Sequence, residues 1–174
     1  MFPALTAAAV EAYLDCALNG QTQVVSTWDA MLGRLIHCYA AGFEFLNKRF
    51  CLGVMRAVIE TCNKTNDVPR AKELRMVYDM PGCCALRKLI MRIWMLWSSR
   101  GLLCFREEGD LVPEGFQADL ERIKDREPFV FWYEMPVAGP LNVEKILSGL
   151  TAAVDRDLVA AATKRGQNEG SDIR

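Results

Sequence analysis

The stretch CYAAGFEFLNKRF, Cys38–Phe50, places a glycine on the apolar stripe of an otherwise strong amphipathic helix. The stripe runs through Trp28, Met31, Leu32, Leu35, Cys38, Tyr39, Phe45 and Leu46, a spacing close to 3.6 residues. Gly42 falls on it, where it costs the helix about 1 kcal/mol relative to alanine. A bend explains such a glycine, and so does a neighbour packed too closely for a Cβ. Its position on the apolar side favours close packing.

The rest of the chain reads as helix on both sides of this segment. TAAAVEAYLDCAL, residues 6–18, is amphipathic and stops at Asn19-Gly20. Ser26 and Asp29 have the spacing of a capping box that opens the Gly42 helix. Further helices are expected over 50–62, over 69–79 with Pro69 in its first turn, over 84–98, over 114–125, and over 142–164 with Asn142 as its cap. The segment 84–98 is apolar nearly all round, which predicts a central, enclosed helix. LLCF at 102–105 fits a helix extension or a short strand, and EPFVFWYEMP at 127–136 is a proline-bounded aromatic segment. The expected fold is all-α: one domain over 1–165, a bundle of seven or eight helices around that central helix. A polar, disordered tail is expected over 166–174.

With 174 residues, about half of them apolar, the chain is long enough for one packed core. The longest apolar run, LIMRIWMLW at 89–97, is nine residues and is broken by Arg92, too short for a membrane span. Glu11 and Asp15 near the start argue against a signal peptide. Net charge is −1 but uneven. Residues 1–46 sum to −3, 47–106 to +8 and 107–174 to −6. The basic middle either faces an anionic partner or is complemented by the acidic C-terminal third.

The usual carriers of enzyme chemistry are missing from the pattern. The single histidine, His37, reads as an ordinary helix residue, and no glycine-rich phosphate loop or paired-carboxylate motif is present. Seven cysteines, an odd number without a CxxC pair, read as free thiols of a reducing compartment. Cys83 and Cys84 are expected to be two small buried residues at a helix start. No metal, no cofactor and no enzymatic activity are expected.

The order of these segments resembles the Bcl-2 family of apoptosis regulators over roughly residues 8–150. VEAYLDCAL, Val10–Leu18, is similar to the family's first helix. CYAAGFEF, Cys38–Phe45, is similar to its third homology motif, with Ala41, Gly42, Glu44 and Phe45 matching. Phe43 stands where the family has aspartate, and Cys38 where it has leucine. The start of the family's central helix carries asparagine, tryptophan, glycine and arginine; here Cys84, Ala85, Leu86 and Arg87 stand there, and only the arginine is kept. Arg87 lies 45 residues beyond Gly42, the family's separation, and Glu127–Phe129 follows 40 to 42 residues later, where the second homology motif belongs. VAGP, Val137–Pro140, stands near the place of that motif's glycines.

The resemblance implies a surface groove that takes the amphipathic death-motif helix of a pro-apoptotic protein. Arg87 would pair with the partner's aspartate, and Phe45, Leu74, Tyr78, Leu86, Ile90 and Trp94 would line the groove. Leu86, replacing a glycine, would obstruct the partner helix. Gly42 would let its helix cross the central one closely. The short link between the first two helices resembles virus-encoded members, which implies inhibition of cell death in a host–virus setting. It also implies a cytoplasmic protein, with peripheral attachment at mitochondria as a variant and a homodimer among the allowed assemblies.

Plainer readings stand beside this one. The groove residues are core in any bundle, and Arg87 would neutralise charge near Asp79. Alternatively, Arg87, Lys88, Arg92, Arg100 and Arg106 interleave with Trp94, Trp97 and Phe105, a pattern that fits nucleic acid through phosphate contacts and stacking. A helical scaffold is the third reading.

Overall fold

The computed structural model describes residues 7–19, 32–65, 68–96, 112–126 and 140–169. Among these residues are eight helices and no strand: α1 (Ala7–Asn19), α2 (Leu32–Glu44), α3 (Lys48–Thr65), α4 (Ala71–Asp79), α5 (Cys84–Leu96), α6 (Glu114–Arg126), α7 (Val143–Ser148) and α8 (Thr151–Glu169). The protein is an all-α bundle. Ser26 and Asp29, the LLCF stretch and EPFVFWYEMP with its Pro128 lie outside the described residues. None of the described helices is long and apolar enough to cross a membrane.

The α2–α3 turn explains the opening glycine. The turn closes with Leu46 N–H donating to Phe43 O at 3.1 Å and Asn47 N–H to Gly42 O at 2.9 Å. Leu46 holds φ = +54°, the left-handed position that glycine usually takes at a helix end. Asn47 then caps α3, its Oδ1 accepting from Phe50 N–H at 3.0 Å. Phe50 is thereby turned back onto α2. A Cβ on Gly42 would lie 2.6 Å from Phe50 Cδ1 and 3.0 Å from Cys51 Sγ. The close approach is real, but it is made by α3 and not, as expected, by the helix over 84–98.

Burial follows from this pairing. α2 buries Leu35, Ile36, Cys38, Tyr39, Ala40, Ala41, Gly42 and Phe43, and α3 buries Phe50, Cys51, Val54, Met55, Ala57, Val58, Ile59 and Cys62. α5 packs against α3, α4 and α8 and buries a broad face from Ala85 to Trp94, while Lys88 and Leu96 are exposed. Of the adjacent thiols, Cys83 is buried but Cys84 is exposed, which corrects the expectation that both are enclosed.

The last helix, expected to be continuous over 142–164, is two helices. Asn142 caps α7 as expected, its Oδ1 accepting from Lys145 N–H at 2.9 Å. α7 ends because Arg92 of α5 reaches its C-terminus, Nη1 donating to Ile146 O at 3.3 Å. A Cβ on Gly149 would stand 2.5 Å from that nitrogen. α8 then continues to Glu169, four residues into the segment expected to be a disordered tail.

The charge asymmetry is partly spent inside the bundle. Lys48 pairs with Asp155 at 2.8 Å and Arg56 with Glu144 at 2.7 Å, joining the basic middle to the acidic C-terminal third. Arg165 of α8 pairs with Glu44 at the end of α2. The first two pairs are exposed, so each orients more than it stabilises, at about 0–1 kcal/mol, while the Arg165–Glu44 pair is half-buried. Asn63 ties α3 to the start of α7 more firmly, donating to Leu141 O at 3.0 Å and accepting from Leu141 N–H at 2.6 Å.

Candidate functional site

The residues expected to form a groove come together around α4 and α5, with one exception. Leu74, Leu86 and Ile90 are fully buried, and Trp94 is 4% exposed. Trp94 Nε1–H donates to Pro69 O at 2.9 Å, which fixes the indole inside. These four are therefore core in this conformation rather than an open floor, and Leu86 obstructs nothing at the surface. Phe45 lies elsewhere: it is 46% exposed in the α2–α3 turn and stacks on Tyr13 of α1 at 4.4 Å.

Arg87 and Tyr78 form the polar edge of the α4–α5 face. Arg87 Nη2–H donates to Tyr78 O at 2.8 Å and to Met80 O at 2.9 Å, closing the carbonyl end of α4. Its guanidinium carbon sits 5.0 Å from the Tyr78 ring centre, within cation–π range. The Asp79 carboxylate is not what it serves. Arg87 Nε is buried without a hydrogen-bond partner, one of two such side-chain atoms among the described residues; the other is Tyr39 Oη.

The far wall of this face is α6, which sequence reasoning did not assign to the site. Phe116 is fully buried and meets Trp94 edge-on at 4.9 Å and Tyr78 at 5.8 Å. The Tyr78 hydroxyl donates to Asp119 Oδ2 at 3.0 Å, and Arg122 donates to Asp119 Oδ1 at 3.0 Å. Burial and the Asp119 bond push the Tyr78 phenol well above its ordinary value, so it stays a donor at physiological pH. The available signal was the i, i+3 spacing of Phe116 and Asp119 on one helix face.

A second polar cluster lies under α8. Asp157, 8% exposed, accepts from Ala85 N–H at 2.6 Å and so caps α5 from a helix 72 residues away in sequence. Desolvation raises its carboxyl above the usual carboxylate range, against the pull of the Ala85 bond, Lys88 and Arg156. The buried thiols of Cys38, Cys51 and Cys83 stay protonated near pH 7. Burial raises Cys38 to about 11 and Cys51 and Cys83 to about 12. Burial, with Lys72, lowers His37, so the imidazole is neutral near pH 7. Among the described residues no three His, Cys, Asp or Glu side chains are grouped to hold a metal ion.

The basic–aromatic pattern is also resolved in part. Arg87 and Arg92 turn inward to helix carbonyls and Trp94 is enclosed, so these three do not form a stacking surface. Trp97, Arg100, Phe105 and Arg106 lie outside the described residues. No family model, curated protein or solved structure matches the chain.

Proposed function

We propose that the chain is a non-enzymatic regulator of apoptosis, inhibitory in sign, in a Bcl-2-like bundle with α5 as its central helix. It binds the amphipathic death-motif helix of pro-apoptotic Bcl-2-family proteins across α4 and α5. The observation that carries this reading is Arg87. It lies 45 residues beyond Gly42, at the rim of an aromatic wall made by Tyr78, Trp94 and Phe116, and its Nε–H is buried with no acceptor. An orphaned buried donor costs free energy that an incoming carboxylate recovers. Once the face opens, a partner's aspartate that reaches Nε displaces no existing hydrogen bond and leaves Nη2 on the α4 carbonyls.

The buried state of Leu74, Leu86, Ile90 and Trp94 sets the terms of binding. Apolar anchors of a partner reach them only when the face opens, and the apparent affinity falls by the fraction of open molecules. Calorimetric titration of the full chain with a panel of death-motif peptides tests the reading: at least one peptide binds. Arg87→Glu then weakens that binding by about 2–5 kcal/mol with the helical circular dichroism retained. No heat from any peptide, or an unchanged affinity in the variant, removes the proposal.

A further inference from the structure

We infer that α6 is the chain's own occupant of the α4–α5 face, an internal amphipathic helix that lifts off when a partner helix enters. This rests on the reading of that face as a helix-binding site. Three contacts define the occupancy. Phe116 is inserted edge-on between Trp94 and Tyr78. One turn later Asp119 takes the Tyr78 hydroxyl at 3.0 Å. Gly115 lets the first turn lie flush on the ring, since a Cβ there would stand 3.0 Å from Tyr78 Cδ1. A helix lying in a groove is read through apolar anchors at i, i+3, i+4 and i+7, and α6 supplies Phe116 with Leu120 at i+4.

Over Glu114–Arg122, where the side chains are described, the attachment is also slight. From Glu114 to Arg122, Phe116 is the one buried side chain and Leu120 is partly buried against the core; Glu114, Gly115, Ala118, Glu121 and Arg122 are exposed. α3, by contrast, buries eight. An element with few buried apolar contacts opens at lower free energy than the core, so α6 is built to leave before α2 or α3 is disturbed. Tyr78 and Trp94, freed of Phe116, then present their ring faces beside Arg87. The partner helix replaces one aromatic anchor and one carboxylate with its own.

The test uses a fluorescein-labelled peptide of residues 112–126 titrated into the full chain and followed by anisotropy. Phe116→Ala vacates the face in cis, so this variant binds the peptide in trans about tenfold more tightly than the wild type, whose own helix competes. Gly115→Val, an exposed change that presses on the Tyr78 ring, moves affinity in the same direction and keeps the test open if Phe116→Ala fails to fold. Hydrogen exchange on the unaltered chain gives an independent reading. The α6 amides exchange through a local opening, ahead of those of α2 and α3. Folded variants that bind no more peptide than wild type, or α6 amides that exchange only with global unfolding, overturn the inference. If the peptide binds in trans and no death-motif peptide displaces it, self-occupancy stands and the apoptosis reading fails. If death-motif peptides bind while α6 stays in place, the reverse holds.

Discussion

The α2–α3 pair and the α4–α5–α6 face are both packed, but by different means. Between α2 and α3 the contact is apolar and so tight that Gly42 has no room for a Cβ against Phe50. Around Arg87 the rim of a buried apolar face is held by a few directional bonds: two carbonyls on one guanidinium and one phenol on one carboxylate. Close packing is lost all at once when it is disturbed. Directional bonds at a half-exposed edge are exchanged one at a time with water or a ligand. The first region fixes the fold, and the second is the one proposed to change partners.

Substitutions sharpen this contrast, the largest effect coming from the tight side. Gly42→Val forces methyl groups into the Phe50 ring and costs about 2–3 kcal/mol in chemical denaturation, by overpacking. A neutral result would mean that α3 is free to shift, and the two regions would not differ as described. Arg87→Ala frees the α4 carbonyls and costs about 1–2 kcal/mol, the scale of hydrogen bonds to a charged donor at a partly exposed site. The loss shows as faster exchange in α4 with α2 and α3 unchanged.

Asp157 probes the link between the two regions. Asp157→Ala removes the tertiary cap of α5 and costs about 1 kcal/mol. Asp157→Asn keeps an accepting oxygen without the buried charge. Because the folded carboxyl lies above its unfolded value of about 4, the stability it contributes is present below that value and is lost as pH rises through the folded one. The asparagine variant is therefore more stable than wild type at pH 7, and the gap closes by about pH 3.5. A gap that widens in acid would reverse the sign. The smallest effect is at the turn: Leu46→Gly relieves a leucine at φ = +54° and gains about 1 kcal/mol or less, seen as a raised Tm.

These elements also mark what could be read from the sequence. The 3.6-residue periods located the helices, and Gly42 on the apolar stripe announced a close neighbour. The identity of that neighbour was hidden because the turn carries leucine, not glycine, in its left-handed position. The apolar stripe thus ran on through Phe45 and Leu46 to 46, two residues past the end of α2. The split at Gly149 was hidden for a related reason: Arg92, a surface residue by composition, ends α7 from a helix 54 residues away. Arg87 was visible as a cation on an apolar helix, but its acceptors are main-chain carbonyls, which carry no mark in the sequence. Phe116 and Asp119 looked like any amphipathic helix until Tyr78 was set against them.

The exchangeable face is tested most directly by amide and indole shift mapping of the 15N-labelled full chain as a death-motif peptide is added. The account predicts shifts at Tyr78, Arg87, the Trp94 indole N–H and Phe116, with the amides of Leu35–Gly42 and Val54–Cys62 unmoved. Shifts centred instead on Phe45 and Leu46, exposed in the α2–α3 turn, or spread over the α2–α3 pair, would contradict it.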